Sequence, residues 1–242
     1  MKGSIIMDYE TLKEQIEMAA LQHGEVYDFL DRRTAALKES ETLPLPPEIS
    51  NWPTETGLAW ENGTGEGLKP TAPFGITMVN STAIETNLPE KFREQGVILL
   101  DFTNAFRVHP RLIERFYMQK AIQTDRNRLT ALHLAYQNAG AFLYVPKNVE
   151  LDQPVEINLI QQTDHPFHVH CLVVAEENSR VIVNEHVQLA TASPVTFFTE
   201  VIAQRNSQVT YHTTPLASND HCYVLREASE RRDAEVNWGE EK

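Results

Sequence analysis

The spacing of apolar positions divides the chain into two halves of different period. Leu12, Ile16, Ala19 and Ala20, then Val26, Phe29, Leu30, Ala36 and Leu37, recur at three- and four-residue steps, with Gly24 between the two sets. That spacing puts side chains on one face of a helix, so two short amphipathic helices are predicted between Tyr9 and Leu37. The next segment, TLPLPPEISNWPTETGLAWENGTGEGLKPTAPFG, holds six of the 13 prolines and five of the ten glycines. It cannot sustain a helix or a central strand and reads as a long connector. The connector is either a linker or a strap packed down by Leu43, Leu45, Trp52 and Trp60. After Gly96, VILLDF reads as a buried strand. Pro110 opens a helix with Leu112, Ile113, Phe116 and Met118 facing inward. A third helical stretch starts at Thr124 and Asp125, carries Leu129, Leu132 and Ala135 on one stripe and stops at Gly140 as a left-handed cap.

From Ala141 onward the period changes to two. The runs AFLYVP, VEINLI, HVHCLVVA, RVIVNEHVQL, TFFTEVIA, QVTYHTT, HCYVLRE and AEVNW alternate apolar with polar residues or are continuously apolar, so this half is strand and turn. Similar segments begin at Glu177, Arg205 and Arg232, at intervals of 28 and 27 residues. Each places an apolar residue (Val181, Val209 or Val236) after a polar turn, and Val183, Tyr211 or Trp238 two residues later on the same face. Ala175 matches Ala203, and Asn178 matches Asn206. A sandwich of regular hairpins can imitate such a repeat. A stacked β-solenoid accounts for it better, because each coil needs a neighbour on which to bury its apolar face.

Composition narrows the function classes. With 21 Lys and Arg against 34 Asp and Glu in 242 residues, the formal net charge is −13, which repels nucleic acid. Cys171 and Cys222, without CxxC spacing, give neither a disulfide framework nor a zinc ribbon. No apolar stretch approaches the roughly 18 residues of a membrane span, and the first residues carry too short an apolar core for a signal peptide. A soluble, cytoplasmic protein without membrane insertion is expected.

The sharpest chemical feature is HPFHVHC. On a strand, His168 and His170 share one face while Cys171 points to the other. With Glu176 downstream, this suggests a cupin-like site of two histidines and a carboxylate for iron, manganese or zinc. The cupin spacing and its preceding glycine are absent, so a β-fold metal-binding protein or metalloenzyme using His168 and His170 is the alternative reading. His221 and Cys222 extend the candidate metal ligands, and His212 could align with His168 and His170 along one solenoid face. The competing structural role makes the cysteines small apolar fillers and the histidines surface or coil-edge residues. ENGTGEGLK fails as a phosphate loop, since Pro70 follows Lys69 and no strand precedes Gly63. Asp101, Glu150, Asp152, Glu156, Glu176 and Glu177 offer no defined acid–base pair, and no nucleophile elbow is present. No catalytic residue is assigned.

A longer pattern is more specific. GVILLDFTNAFRVHPRLIERFYMQ followed by ALHLAYQNAGAFLYVPKNVELDQPV resembles the SufB/SufD family of iron–sulfur cluster assembly proteins. The order carries the resemblance: Gly96 to Ile98, His109-Pro110, the Ala/Leu helix from Ala131 to Ala139, Gly140, Phe142, then Tyr144, Val145, Pro146, Lys147 and Val149. Asn148 replaces the family's usual glycine, and asparagine tolerates the positive φ of such a turn. FLDRRTAALKESETLPLPPEISNW is similar to a SufD-type opening, with Pro53 in place of a basic residue, and LVVAEENSRVIVNEHV is similar to a later family segment. The likeness runs from about Asp28 to Trp238.

The resemblance implies a mainly β fold: a right-handed parallel β-helix over 140–242, incomplete at its end, preceded by an N-terminal helical region with the connector over 1–139. It implies a non-enzymatic scaffold or accessory subunit of the SUF system, acting with a SufB-like subunit and a SufC-like ABC-type ATPase. It also implies no tightly bound cofactor, with an iron–sulfur cluster held transiently in the complete complex. The family's ATPase contact and cluster-site residues lie in a C-terminal part that this sequence does not contain, so no position here receives those roles. An open coil end predicts self-association through residues 140–238.

Overall fold

The computed structural model describes residues 8–53, 60–189, 193–218 and 220–240. Two helices open the chain. Asp8 accepts the Thr11 N–H and caps α1 (Tyr9–His23), and Gly24 at φ +66° ends it in the left-handed region. The second helix is α2 (Tyr27–Ser40). Part of the connector then packs as a strap: Ile49 and Trp52 are buried, Trp60 stacks on His23, and the Asp220 carboxylate accepts the backbone N–H groups of Ser50 and Asn51. Residues 54–59 of the connector lie outside the described residues.

Three strands that hydropathy left within the N-terminal region follow, namely β1 (Gly75–Val79), β2 (Thr82–Asn87) and β3 (Ile98–Asp101), with the short α3 (Glu90–Arg93) between the last two. Only β3 is visible as an apolar run. Next come α4 (Phe102–Val108), α5 (Pro110–Phe116) and α6 (Arg128–Tyr136). The expected start of the third helical stretch at Thr124 is a single 3-10 turn (Thr124–Arg126). The true cap is Asn127, whose side chain accepts the Leu129 and Thr130 N–H groups while Thr130 Oγ1 accepts the Asn127 N–H.

Gly140 does not stop that helix, which ends at Tyr136. It lies inside β4 (Ala139–Val145) opposite His170, and a Cβ there would stand 1.9 Å from the His170 carbonyl oxygen. The glycine answers a close approach of two backbones rather than a turn.

The eight apolar runs after residue 138 are β4, β5 (Val155–Gln161), β6 (Phe167–Ala175), β7 (Arg180–Leu189), β8 (Val195–Ala203), β9 (Gln208–Thr213), β10 (Cys222–Glu230) and β11 (Glu235–Glu240). They alternate between two sheets, ordered β11-β9-β7-β5-β1-β2 and β10-β8-β6-β4-β3, and every pairing among β4–β11 is parallel. The fold is therefore a parallel β-helix, each coil giving one strand to each sheet. The 28- and 27-residue repeat is the coil itself: Val181 pairs with Val209 and Val209 with Val236, while Val183, Tyr211 and Trp238 align in the same way. β1 and β3 extend the two sheets at the first coil, so residues before 140 build part of the β layer.

The coil turns share one device. Asn148, Asn178, Asn206 and Asp233 all hold φ near +60°, and the Asn178 and Asn206 side-chain amides each donate 2.8 Å to the asparagine one coil earlier. Asn148 thus carries the positive φ expected of it.

Two cores result. Between the sheets lie Ile157, Val169, Cys171, Val183, Phe197, Val209 and Tyr211 among others. The outer face of the β6/β8 sheet, carrying Phe142, Leu172, Val174, Phe198 and Ile202, packs against Phe29, Leu37, Phe102, Phe106, Tyr117 and Leu134 of the helical lobe. Hence β6 and β8 are buried on both faces, whereas β5 alternates buried and half-buried residues with one face toward water.

Candidate functional site

The period of β6 sends His168 and His170 outward under the helices and Cys171 into the solenoid, as the HxH spacing requires. Contrary to the surface or coil-edge role, both histidines are buried, with 1% and 0% exposure. The helical lobe that covers them is remote in sequence.

Three groups unseen by pattern join them. His133 descends from α6, a helix buried along its whole length, while Thr196 and Glu200 point outward from β8. Thr196 Oγ1 lies 2.7 Å from both His133 Nδ1 and His168 Nδ1, and His133 Nε2 lies 3.0 Å from His170 Nδ1. His170 Nε2 stands 3.2 Å from Glu200 Oε2 without forming a hydrogen bond to it. Glu200 accepts the Met118 N–H at 2.6 Å and the Ile122 N–H at 2.9 Å. Burial is the first cause that lowers the proton affinity of each imidazole, taking His168 down to about 3. The signals were present in sequence: a lone glutamate in VTFFTEVIA and a lone histidine in ALHLAY, each polar among apolar neighbours.

On the other face of the same sheet, Cys171 lies within the solenoid beside a second polar group. Glu185 Oε2 accepts the Tyr211 hydroxyl at 2.8 Å and the Thr199 hydroxyl at 3.2 Å, and Glu185 Oε1 takes Arg226 at 3.3 Å. Desolvation, then the Glu185 charge, pushes the Cys171 thiol well up, and desolvation also raises the Glu185 carboxyl. Here the thiol is protonated and sealed from solvent, the inert condition for a cysteine.

The remaining candidates do not converge. Cys222 is 8% exposed inside the solenoid wall at the start of β10, pairs in register with Val195, and has its thiol pushed up to about 11 by burial. His221 precedes it, its carbonyl accepting the Val195 N–H. Glu176 lies in the turn after β6 and accepts the Ser179 N–H through its carbonyl. His212 is on the opposite sheet, bonded to Asn184 at 2.9 Å, so the line with His168 and His170 does not form. His212 follows His170 by 42 residues, about one and a half coils, and that half coil puts it on the opposite sheet. Among the described residues no group of three or more His, Cys, Asp or Glu is disposed to hold a metal ion.

The water-facing side of the other sheet carries a groove of about 610 Å³ lined by Lys69, Thr77, Glu156, Asn158 and Gln188 among others. At its edge Glu156 accepts Asn184 at 2.7 Å and contacts His186 at 2.6 Å. The Gly-rich stretch predicted not to bind phosphate forms one wall.

Comparison with known proteins identifies the architecture. A family described as the SufBD protein N-terminal region matches residues 72–157, the span that carries β1 to β4 and the start of β5. The iron–sulfur cluster assembly protein SufD of Bacillus subtilis is 32% identical over 259 residues, covering 96% of this chain and 58% of that protein. Over nearly its whole length the chain is similar to proteins of the SufB/SufD family. Another member, from Staphylococcus haemolyticus, is 26% identical across 97% of this chain and 55% of its own length. A member from the archaeon Pyrococcus horikoshii is 29% identical over 139 residues, or 57% of this chain. The chain thus spans somewhat more than half the length of the Bacillus subtilis and Staphylococcus haemolyticus relatives. Among the described residues, no helix is long and apolar enough to cross a membrane.

Proposed function

We propose that this chain is a SufD-like scaffold or accessory subunit in iron–sulfur cluster assembly, working in the cytoplasm with a SufB-like subunit and a SufC-like ABC-type ATPase. The observation that carries the reading is the match to a SufD protein over 96% of the chain. The chemistry of the chain agrees with it. His168, His170 and Cys171 are sealed beneath the helical lobe or inside the solenoid, which supports a framework role for these residues; in this reading the chain is a rigid frame without an active site of its own. The cluster is cargo, held transiently by the complete complex rather than as a resident cofactor.

Anaerobic affinity purification from the native cytoplasm, with copurifying proteins identified by mass spectrometry, tests the role. Recovery of an ABC-type ATPase or a SufB-like subunit is expected. Recovery of the chain alone, in a strictly monomeric state at high micromolar concentration, overturns the reading.

A further inference from the structure

The buried polar groups between the lobe and the solenoid have a fixed proton order, which follows from one end. Glu200 takes two backbone N–H groups, the pattern of a carboxylate acceptor. Facing that carboxylate, His170 turns its Nε2–H toward it, because a lone pair there would be repelled. Neutral His170 then offers a lone pair at Nδ1, so His133 donates from Nε2. His133 Nδ1 in turn accepts, which makes the Thr196 hydroxyl its donor. Thr196, its one proton spent, accepts from His168 Nδ1–H. The order ends at His168 Nε2, a buried lone pair without a hydrogen-bond partner among the described residues.

This order crosses between the two bodies repeatedly. Glu200 holds the segment after α5, while His133 on α6 meets His170 on β6 and Thr196 on β8. The charged and titratable groups facing the cluster are Arg32 and Arg33 from α2, Tyr117 after α5, Tyr136 on α6 and Glu200 on β8. Arg33 is itself paired with Glu25 at 2.7 Å.

We propose that His170, His133, Thr196 and His168 form one directional hydrogen-bond relay, its order set by the Glu200 carboxylate facing His170, that latches the helical lobe to the solenoid, and that acid opens this latch by protonating its imidazoles. Burial most strongly, with Arg33 at His168 and Arg32 at His170, disfavours positive charge at the cluster; the Glu200 carboxylate opposes this at His170 without reversing the direction. The closed latch therefore keeps its histidines neutral. When the lobe lifts, the relay's hydrogen bonds are exchanged for bonds to water and each imidazole takes one proton from hydronium, leaving water; no other covalent bond forms or breaks. Folded proton affinities lie below the ordinary value of about 6.5, so the latch is fully stable above that pH and weakens as pH falls toward the folded values. Each proton bound on opening multiplies the opening constant by up to about tenfold per pH unit.

Histidine ¹⁵N chemical shifts at pH 7.5 test the order on the unmodified chain. His168 is expected to carry its proton on Nδ1, the less common tautomer, and His133 and His170 theirs on Nε2. Hydrogen exchange followed by mass spectrometry from pH 7.5 to 4.5, corrected for intrinsic rates, tests the opening. Protection in α2 and α6 is expected to fall before that in β5, β7 and β9, with a slope steeper than one proton. In His168→Asn the amide keeps the donor to Thr196 and removes one titrating group, so the slope falls by about one proton. A proton on His168 Nε2, simultaneous loss of protection in lobe and solenoid, or an unchanged slope in the variant overturns the proposal. Should that variant not fold, the tautomers and the order of opening in the unmodified chain decide.

Discussion

The Glu200 carboxylate accepts the Met118 backbone N–H at 2.6 Å, and Met118 sits there with a left-handed φ of 50°. One charged side chain on a strand thus organises a loop 82 residues away in sequence. Glu200→Gln keeps the size but can offer its oxygen to only one of the two N–H groups; the other meets an amide NH2. A loss of about 3 kcal/mol is expected in urea unfolding. Glu177→Gln, at a surface pair with Lys147, should stay within about 1 kcal/mol.

Gly140 tests the closeness of the coils. A Cβ at this position would stand 1.9 Å from the His170 carbonyl oxygen, and φ is 138°, so alanine cannot be seated without parting β4 from β6. Gly140→Ala is expected to cost about 4 kcal/mol or more, read as a large drop in thermal midpoint or loss of soluble protein. An unchanged midpoint refutes the close approach.

The asparagine turns separate conformational from bonding contributions. Asn178→Ala keeps a Cβ at a left-handed φ of 58° without the polar side chain that lets asparagine tolerate it, and removes the ladder bonds to its neighbours, for an expected loss of about 2 kcal/mol. Asn178→Gly removes the same bonds without the backbone strain and should cost about half as much. Equal losses in the two variants mean that the ladder alone matters.

Thiol chemistry reports the seal around the solenoid interior. A thiol raised to about 11 leaves about one molecule in a thousand as thiolate at pH 8. Iodoacetamide is expected to label Cys222 slowly and Cys171 not at all in the folded chain, and both quickly in denaturant. Raising the pH should speed Cys222 about tenfold per unit up to that value. Rapid labelling of Cys171 under native conditions would show an open interior.

Much of this fold was legible because its order is local. Period-two runs marked every strand from β4 to β11, and a repeat of 27–28 residues revealed the coil before any pairing was known. Gly24 stood as the break between two helical sets, and Asn148 as a left-handed turn followed from the backbone sterics of a single residue. What the pattern could not give is which face of a strand is covered, and by what. HxH requires that His168 and His170 point together, but the same two letters fit a metal site in water or a relay under a helical lobe.

Only the tertiary structure chose between them, by bringing His133, Thr196 and Glu200 to those rings and sending His212 to the other sheet. The roles of Gly140 and Asn127 were hidden for the same reason: they depend on partners across a strand pair and within a cap, which hydropathy does not record. Sequence alone determined the coil, because burial of alternate residues is a property of one strand and its repeat. The interface was decided by long-range packing, since a buried polar group acquires its chemistry from the groups that replace water around it.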